Sequence, residues 1–350
     1  MKRVISVIMV LFLSILVTAG CVPVVEEQPI TRIRWGTSAV GSTGHLAQTH
    51  LATLLNREWE GYSVTVLPTP GAIFTVKEFC KGELDGCYGA DIAFYEFYHK
   101  KDRFAGFSGE VVREPVQTFW AYTMETGLGI AAKDHYLHDP PGPFSEWRDL
   151  KGLPVFTGPL PWDVRANLER SMAILDVGHT YVEVDLGMVA PALDAGTIRG
   201  WIAYTAGETA IAPWQVELEM ATDIQILNPS EEERAMLAAA GMPPVAVSPT
   251  VYATELYEDV IYFVPFYYGF HLGLDIPAED IVRMLDIIEE FSGELAKVDP
   301  SYAMLHADMV EMQVRGVTAA IDYVKVHPGL AAWLKARDAW NPAWDDRIAR

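Results

Sequence analysis

The stretch TRIRWGTSAVGSTG at residues 31–44 decides the fold of this chain. Ile33 and Trp35 lie on one face of a short alternating segment, which is typical of a strand. A polar, glycine-rich loop follows, in which Ser42 or Thr43 is placed to cap a helix. The apolar face of that helix consists of leucines near helical spacing before residue 57: Leu46, Leu51, Leu54 and Leu55. The sequence predicts a strand, a loop and a helix in that order.

The same order continues downstream. Residues 63–67 read as the next strand, and residues 69–72 as the next loop. Ile73, Val76, Phe79 and Cys80 form the apolar face of a second helix, and residues 86–89 form a third strand. A βαβαβ order predicts parallel strands with right-handed crossovers.

The order then returns in a second half. The predicted elements are a strand at 153–157, a loop at 158–163, a helix to about 175, a strand at 180–184, a helix at 187–195 and a strand at 200–204. Gly82 and Gly196 occupy matching places after a helix, where a C′ position favours positive φ. Two similar α/β lobes are the economical interpretation, although short echoes of this kind also arise by chance.

Two aromatic and β-branched stretches, 118–132 and 261–274, read as extended crossings between the lobes. They predict a two-strand hinge, with the second crossing returning the chain to the first lobe. From residue 277 onward the pattern is helical, and three late tryptophans read as anchors for a terminal helix. We therefore assign lobe I to residues 30–125 and 272–350, and lobe II to residues 126–271.

The N-terminus predicts where the protein works. Lys2 and Arg3 precede an apolar run that is too short to span a bilayer, as in a secretory signal. The residues Thr-Ala-Gly before Cys21 match a bacterial lipobox, so residues 1–20 are a predicted lipoprotein signal peptide and Cys21 a predicted lipid anchor. An ordinary signal peptide with an incidental cysteine is the alternative. Residues 21–29 then form an extended tether.

Composition narrows the class of protein. Half of the residues are hydrophobic, which favours a full core, and no second apolar run is long enough to cross a membrane. The net charge of −21 excludes nucleic acid as a partner, because such a surface repels phosphate. Cys80 and Cys87 either form a disulfide or stay free, and spacing alone does not decide. His45 and His50 are poorly placed to share a helix face, so we predict no metal site.

Four glycine-containing loops fall at predicted strand ends, at residues 36–44, 69–72, 158–163 and 205–208. Backbone N–H groups at such positions bind small polar or anionic molecules. Each loop alone is better explained as a short connection that needs glycine, but four of them in register on both lobes favour a binding cleft. Residues 36–40 lack the second glycine of a nucleophile elbow, and residues 41–44 lack the lysine of a phosphate-binding loop. We predict a binding cleft, with no catalytic residue and no cofactor.

Five motifs in series carry a resemblance to a known family. They are RIRWGTSAVGSTG, VTVLPTPGA, KGELDG, DLKGLPVFTGP and VHPGLAAWLK, in order between about residues 30 and 340. The series resembles the TAXI group of solute receptors of TRAP transporters. The resemblance implies a two-lobed, periplasmic-binding-protein-like α/β fold, with a mostly parallel sheet flanked by helices in each lobe. It also implies delivery of glutamate, 2-oxoglutarate or a similar carboxylate to a separate membrane permease.

Three departures from the family pattern bear on the ligand. TPGA at 69–72 replaces the usual TGGS, GAD at 89–91 stands near the usual serine-aspartate, and WDV at 162–164 replaces SGT. Hydroxyl donors are lost and aromatic bulk is gained, so a larger or more apolar carboxylate is expected. The candidate ligand-binding residues are Ser38, Gly41, Ser42, Thr43, Gly44, Thr69, Gly71, Ala72, Tyr88, Trp162, Arg165, Tyr204 and Gly207. For each aromatic residue, a place in the core is the alternative.

Arg165 is the cationic member of that set. It lies in the first turn of a predicted helix, where the helix dipole disfavours a cation. Asp163, Glu169 or a ligand carboxylate would offset its charge.

The sequence therefore favours a receptor held outside the cytoplasmic membrane that captures a small organic anion for a TRAP-type permease. A receptor for an ABC importer or a membrane-bound sensor shares this architecture. A secreted α/β hydrolase or transferase is the alternative from another class.

Overall fold

The computed structural model describes residues 30–350. The predicted signal peptide, tether and lipid anchor at residues 1–29 lie outside the described residues. None of the described helices has the length and apolar character that a membrane crossing requires.

Thirteen strands and twelve α-helices follow one another in the described residues. The strands are β1 (Thr31–Thr37), β2 (Tyr62–Pro68), β3 (Gly86–Ala90), β4 (Val116–Gln117), β5 (Trp120–Ala131), β6 (Pro154–Phe156), β7 (Thr180–Tyr181), β8 (Gly200–Ala206), β9 (Ala210–Ile211), β10 (Ile224–Leu227), β11 (Val245–Val247), β12 (Ile261–Leu272) and β13 (Lys325–Val326). The helices are α1 (Thr43–Glu58), α2 (Ala72–Lys81), α3 (Asp91–His99), α4 (Asp163–Ile174), α5 (Val189–Asp194), α6 (Pro213–Ala221), α7 (Glu231–Ala239), α8 (Ala278–Glu290), α9 (Ser292–Val298), α10 (Ala303–Ala307), α11 (Met309–Ala320) and α12 (Pro328–Lys335).

Most of the strands belong to one continuous sheet of eleven. Eight of them follow the order β2-β1-β3-β12-β5-β8-β6-β7, and β9, β10 and β11 pair with β8, β5 and β12 beside this path. Strands β1 and β3 are parallel at one end of this path, and β6 is parallel to both β7 and β8 at the other. The two long strands β5 and β12 lie antiparallel between these groups. The fold is thus α/β and two-lobed, with two linking strands between the lobes. We call the part around β1–β3 lobe I and the part around β6–β8 lobe II.

The two linking strands change neighbours along their length. The last five residues of β12 pair with β3 in lobe I, whereas its first three pair with β11. Strand β5 pairs with β8 from Met124 to Gly129 and with β10 from Leu128 to Ala131. All twelve residues of β5 are buried, as expected of a strand covered on both faces.

Local signals in the sequence account for the element ends. Ser42 caps α1, and its side chain accepts a hydrogen bond from the His45 N–H. Gly82 and Gly196 have φ values of 83° and 71°, so both predictions of positive φ are confirmed. The strand predicted at 180–184 is shorter, because β7 is an edge strand and ends at Tyr181. The helix predicted at 187–195 begins as a 3₁₀ turn, Leu186–Met188, and continues as α5.

The C-terminal helices pack against lobe I. The Tyr302 hydroxyl donates to the Ala47 carbonyl oxygen of α1 at 2.8 Å, and Arg57 forms an ion pair with Glu294 of α9. Trp333 of α12 is fully buried and donates to Asp286 of α8 at 3.0 Å. Cys80 and Cys87 are buried free thiols, so the disulfide that the sequence left open is not formed.

Candidate functional site

A small cavity lies where the strand-end loops of the two lobes meet. It is lined by Ser38, Ser42, Thr43, Gly44, Ala72 and Tyr88 of lobe I, by Met124 and Tyr268 of the linking strands, and by Trp162, Val164 and Tyr204 of lobe II. Its volume of about 20 Å³ holds about one water molecule. The lobes are therefore closed on each other at this point.

Eight of the thirteen sequence-predicted site residues line this cavity. The sequence analysis missed Met124, Val164 and Tyr268. Met124 and Tyr268 belong to the stretches that the sequence predicts as interlobe crossings. The sequence therefore indicates that they lie between the lobes, but not which face of each strand points to the cavity.

The other five predicted residues lie elsewhere. Gly41 is exposed, and the Thr69 hydroxyl donates to the Thr37 carbonyl oxygen within lobe I. Gly207 packs against the backbone of Ser301. Gly71 and Arg165, which contact or approach the opposite lobe, are described below.

The cleft is closed at Gly71, just before α2. A Cβ atom placed on Gly71 would lie 3.1 Å from the carbonyl oxygen of Pro161 and 3.3 Å from its Cβ. Pro161 belongs to the loop before α4 in lobe II. This approach brings the two predicted binding loops, 69–72 and 158–163, into direct contact.

The N-terminus of α1 forms one wall. A Cβ atom at Gly44 would lie 2.5 Å from a ring carbon of Tyr88, so glycine is required for the tyrosine ring to approach the helix. The first N–H groups of a helix have no partner within it and carry partial positive charge. Thr43 and Gly44 place these groups at the cavity.

Aromatic side chains form the remaining walls. The rings of Tyr88 and Tyr268 stack with centroids 4.3 Å apart, and the Tyr88 and Tyr122 hydroxyl oxygens lie 2.7 Å apart. Trp162 meets Tyr204 edge to face at 6.4 Å. Burial raises the pKa of Tyr88, Tyr204 and Tyr268, so these phenols are neutral hydrogen-bonding groups at ordinary pH. Among the described residues that line the cavity, none is a lysine or an arginine.

A buried ionic cluster joins the lobes beside this cavity. Arg103 of lobe I donates two hydrogen bonds to Glu96, at 2.8 and 2.9 Å, and a third to Oδ1 of Asp163 at 2.6 Å. Asp163 is the first residue of α4 and is fully buried. Burial raises its pKa, while Arg103 and the Tyr268 hydroxyl lower it. Sequence reasoning missed this contact because Arg103 and Asp163 are 60 residues apart and belong to different lobes.

Arg165 faces a second interlobe cavity of about 380 Å³. Its Nε lies 2.9 Å from Oε1 of Glu169, and its guanidinium lies 3.7 Å from the centre of the Tyr181 ring. It also donates to the carbonyl oxygen of Gly158 at 3.3 Å. Of the offsets considered for Arg165, Glu169 is the residue that pairs with it, whereas Asp163 pairs with Arg103.

A larger groove of about 490 Å³ lies between Phe97, Phe104, Phe107 and Tyr323. Its walls all belong to lobe I and the C-terminal segment that packs there, so closure of the lobes does not enclose it. In residues 30–350 no group of three or more histidine, cysteine, aspartate or glutamate side chains has the arrangement of a metal site.

Comparisons with known proteins give distant structural likenesses only. The chain matches no protein-family model and no curated protein. It is similar to the periplasmic aliphatic sulphonate binding protein SsuA from Escherichia coli at 12% identity and a TM-score of 0.41, over 89% of this chain and 79% of that one. It is also similar to the probable amino-acid ABC transporter extracellular-binding protein ytmK from Bacillus subtilis at 11% identity and a TM-score of 0.45, over 78% and 97%. These likenesses are too distant to transfer a ligand or a transporter type to this chain.

Proposed function

We propose that this protein is an extracytoplasmic receptor that closes on a small solute between its two lobes and passes it to a membrane transporter. The observation that carries the proposal is the convergence of loops from both lobes on one cavity, at the carboxyl ends of β1 and β6. Ligands of open α/β sheets bind at such strand ends. Because β5 and β12 run through both lobes, bending of two strands is enough to open the cleft.

The ligand class follows from the groups at the cavity. The hydroxyl groups of Ser38, Ser42 and Thr43 and the N-terminus of α1 favour an organic acid, because such groups bind a carboxylate. Trp162 and Tyr204 provide apolar walls for the rest of the molecule. We therefore propose a small carboxylate, glutamate-like, 2-oxoglutarate-like or larger and aromatic.

The partner and the location are proposed from the sequence. The TAXI-like series of motifs favours a TRAP-type permease, and the lipobox favours a periplasmic or cell-surface protein anchored through Cys21. An ABC importer or a sensor would accept the same architecture.

Cys21→Ser should release the mature protein into the soluble fraction with unchanged ligand affinity. Equal membrane association of both forms would contradict the lipid anchor.

The most direct test of the receptor proposal is extraction. The mature protein is purified without refolding, denatured, and its released small molecules are identified by mass spectrometry. A stoichiometric organic acid that rebinds the refolded protein unchanged is expected. Chemical conversion of that molecule by the purified protein alone would instead favour the hydrolase or transferase alternative. Uptake assays with a TRAP-type or an ABC-type permease then decide between the transporter classes.

A further inference from the structure

The groove of about 490 Å³ in lobe I has a continuous apolar floor. The rings of Phe97 and Phe104 meet edge to face with centroids 5.6 Å apart, and the rings of Phe104 and Phe107 meet in the same way at 5.8 Å. Phe104 and Phe107 are 1% and 4% exposed, so they lie at the bottom of the groove. The volume of the groove lies within the range of about 300 to 1,000 Å³ that is typical of small-molecule sites.

Cationic side chains surround this floor. Lys100 at the end of α3, Lys325 in β13 and Arg347 near the C-terminus line the groove, and Glu114 is the one acidic side chain of the described residues that does so. None of the three cations forms an ion pair within the described chain. The Nε group of Arg347 donates to the Ile321 carbonyl oxygen at 2.8 Å, which positions the guanidinium at the groove.

The local charge of the groove is opposite to that of the whole protein. Three cations and one anion line it, whereas the chain carries a net charge of −21. Cations without an acidic partner attract an anion and can donate charge-assisted hydrogen bonds to it. The phenylalanine floor adds a second requirement, because covering it with apolar surface removes that surface from water. An organic acid with an apolar body meets both requirements.

The shape of the groove favours one dissolved molecule over a membrane surface. The floor is recessed between α3, the 3₁₀ turn Phe107–Glu110 and β13, so a flat bilayer would meet only the rim. None of its described wall residues belongs to lobe II. The groove therefore exists whether the lobes are open or closed.

We propose that this groove binds an organic acid with an extended apolar tail, such as a fatty acid, at a second ligand site. The carboxylate lies among Lys100, Lys325 and Arg347, and the tail lies along the phenylalanine floor. The site is separate from the interlobe cavity, so the amphiphilic acid and the solute of the receptor bind independently.

Four compounds that separate the charge from the tail test the proposal. The Cys21→Ser form of the mature protein is purified without detergent, so that no other amphiphile competes. It is titrated calorimetrically with decanoate, 1-decanol, decyltrimethylammonium and butanoate. Decanoate should bind about 10- to 100-fold more tightly than 1-decanol, as expected for hydrogen bonds between charged groups. Decyltrimethylammonium should bind more weakly than 1-decanol because it carries the wrong charge, and butanoate should bind about 100-fold more weakly than decanoate because most of the tail is missing.

Two double variants assign the effect of charge to the rim of the groove. Lys100→Gln with Lys325→Gln should weaken the binding of decanoate about tenfold and leave that of 1-decanol unchanged. Arg32→Gln with Lys133→Gln removes the same two positive charges at exposed positions outside the groove, so it should keep the affinity for decanoate. Thermal unfolding reports whether both variants fold, and the comparison of the four compounds on the Cys21→Ser protein does not depend on it.

Other outcomes contradict the proposal in distinguishable ways. Equal binding of decanoate and 1-decanol would overturn it, and so would equal losses of affinity in the two double variants. Co-sedimentation with phosphatidylglycerol vesicles without binding of decanoate would overturn it and assign the cations to a membrane surface. Displacement of decanoate by the molecule extracted from the interlobe cleft would place the acid in the cleft instead. Each of these results leaves the receptor function, which the extraction experiment tests, intact.

Discussion

Two cavities formed by residues 30–350 lie between the lobes, and they differ in the charges of the side chains that line them. The larger, of about 380 Å³, is lined by four cationic and three anionic side chains. Arg165 and Glu169 pair there at 2.9 Å, and Lys101 donates to Tyr95 at 3.1 Å. The smaller, of about 20 Å³, has aromatic and hydroxyl walls and no charged side chain among the described residues that line it.

The difference shows that charge density and binding capacity are separate properties. Charged groups that already pair with each other gain little from a ligand, because the ligand must replace an existing interaction. The hydroxyl groups and the α1 N-terminus at the small cavity form no ion pairs, so a ligand can bind them without displacing one. By this criterion the small cavity is the stronger candidate site, although it has the smaller volume in the closed form.

The largest effect is expected at Arg103, which lines the larger cavity and pairs with both Glu96 and Asp163. Arg103→Ala leaves Glu96 and Asp163 buried without their common partner, and we expect the free energy of unfolding to fall by about 3–5 kcal/mol. Urea denaturation measures the change. Arg32→Ala is the matched control, because Arg32 is exposed and its loss should cost about 0.5 kcal/mol or less. Equal stability of the two variants would show that the cluster does not hold the lobes together.

Glu125 is a second buried carboxylate, and its effect is expected in how the stability of the protein depends on pH. It follows Met124 in β5, accepts from the Thr205 hydroxyl at 2.6 Å and the Glu208 N–H at 3.0 Å, and has no partner at Oε1. Burial raises its pKa to about 7, against the opposing effect of these hydrogen bonds. The folded state therefore retains a proton that the unfolded state loses near pH 4.5, so Glu125 lowers stability as pH rises from about 4.5 to 7.

Glu125→Gln should remove that contribution. We expect the variant to gain roughly 2–3 kcal/mol relative to the unaltered protein between pH 5 and pH 8, measured by urea denaturation at both values. Other buried acids such as Asp91 titrate in both proteins and cancel in the difference. Glu217→Gln, at an exposed position, should leave the pH dependence unchanged. A pH dependence that is identical in Glu125→Gln and the unaltered protein would contradict a raised pKa at this site.

The smallest effect on binding is expected at Arg165. If the small cavity holds the ligand, Arg165→Ala should change the dissociation constant less than twofold, and it should lower the free energy of unfolding by about 1 kcal/mol through loss of the Glu169 pair and the Tyr181 contact. Calorimetric titration with the extracted ligand measures the affinity. A loss of ten- to a hundredfold would instead place the ligand anion in the larger, charged cavity.

Local sequence signals predicted the elements but only part of the site. Ser42 begins a helix and Gly82 and Gly196 follow helix ends, each through interactions within a few residues, so their roles follow from the sequence. The Arg103–Asp163 contact depends on how the lobes close, which no local pattern encodes. The orientation of Tyr268 depends on the irregular register between β12 and β5 at residues 268 and 269, and such a shift decides which face of a strand meets the cleft.

The central claim, that the lobes open and close on a ligand, is tested by an engineered disulfide between the lobes that can be formed and reduced. The Cβ atoms at positions 71 and 161 would lie 3.3 Å apart, close to the separation that a disulfide needs. Gly71→Cys with Pro161→Cys should therefore form a bridge on oxidation, whereas burial keeps Cys80 and Cys87 from competing. Each single variant serves as a control for the substitutions themselves.

The small molecule extracted from the unaltered protein is prepared in an isotopically labelled form. Its uptake and release by the double variant are then measured before and after reduction of the disulfide. The account predicts that the oxidised form neither takes up nor releases the label and that reduction restores exchange to the rate of the single variants. Equal exchange by the oxidised and reduced forms would contradict opening of the lobes as the route to the site.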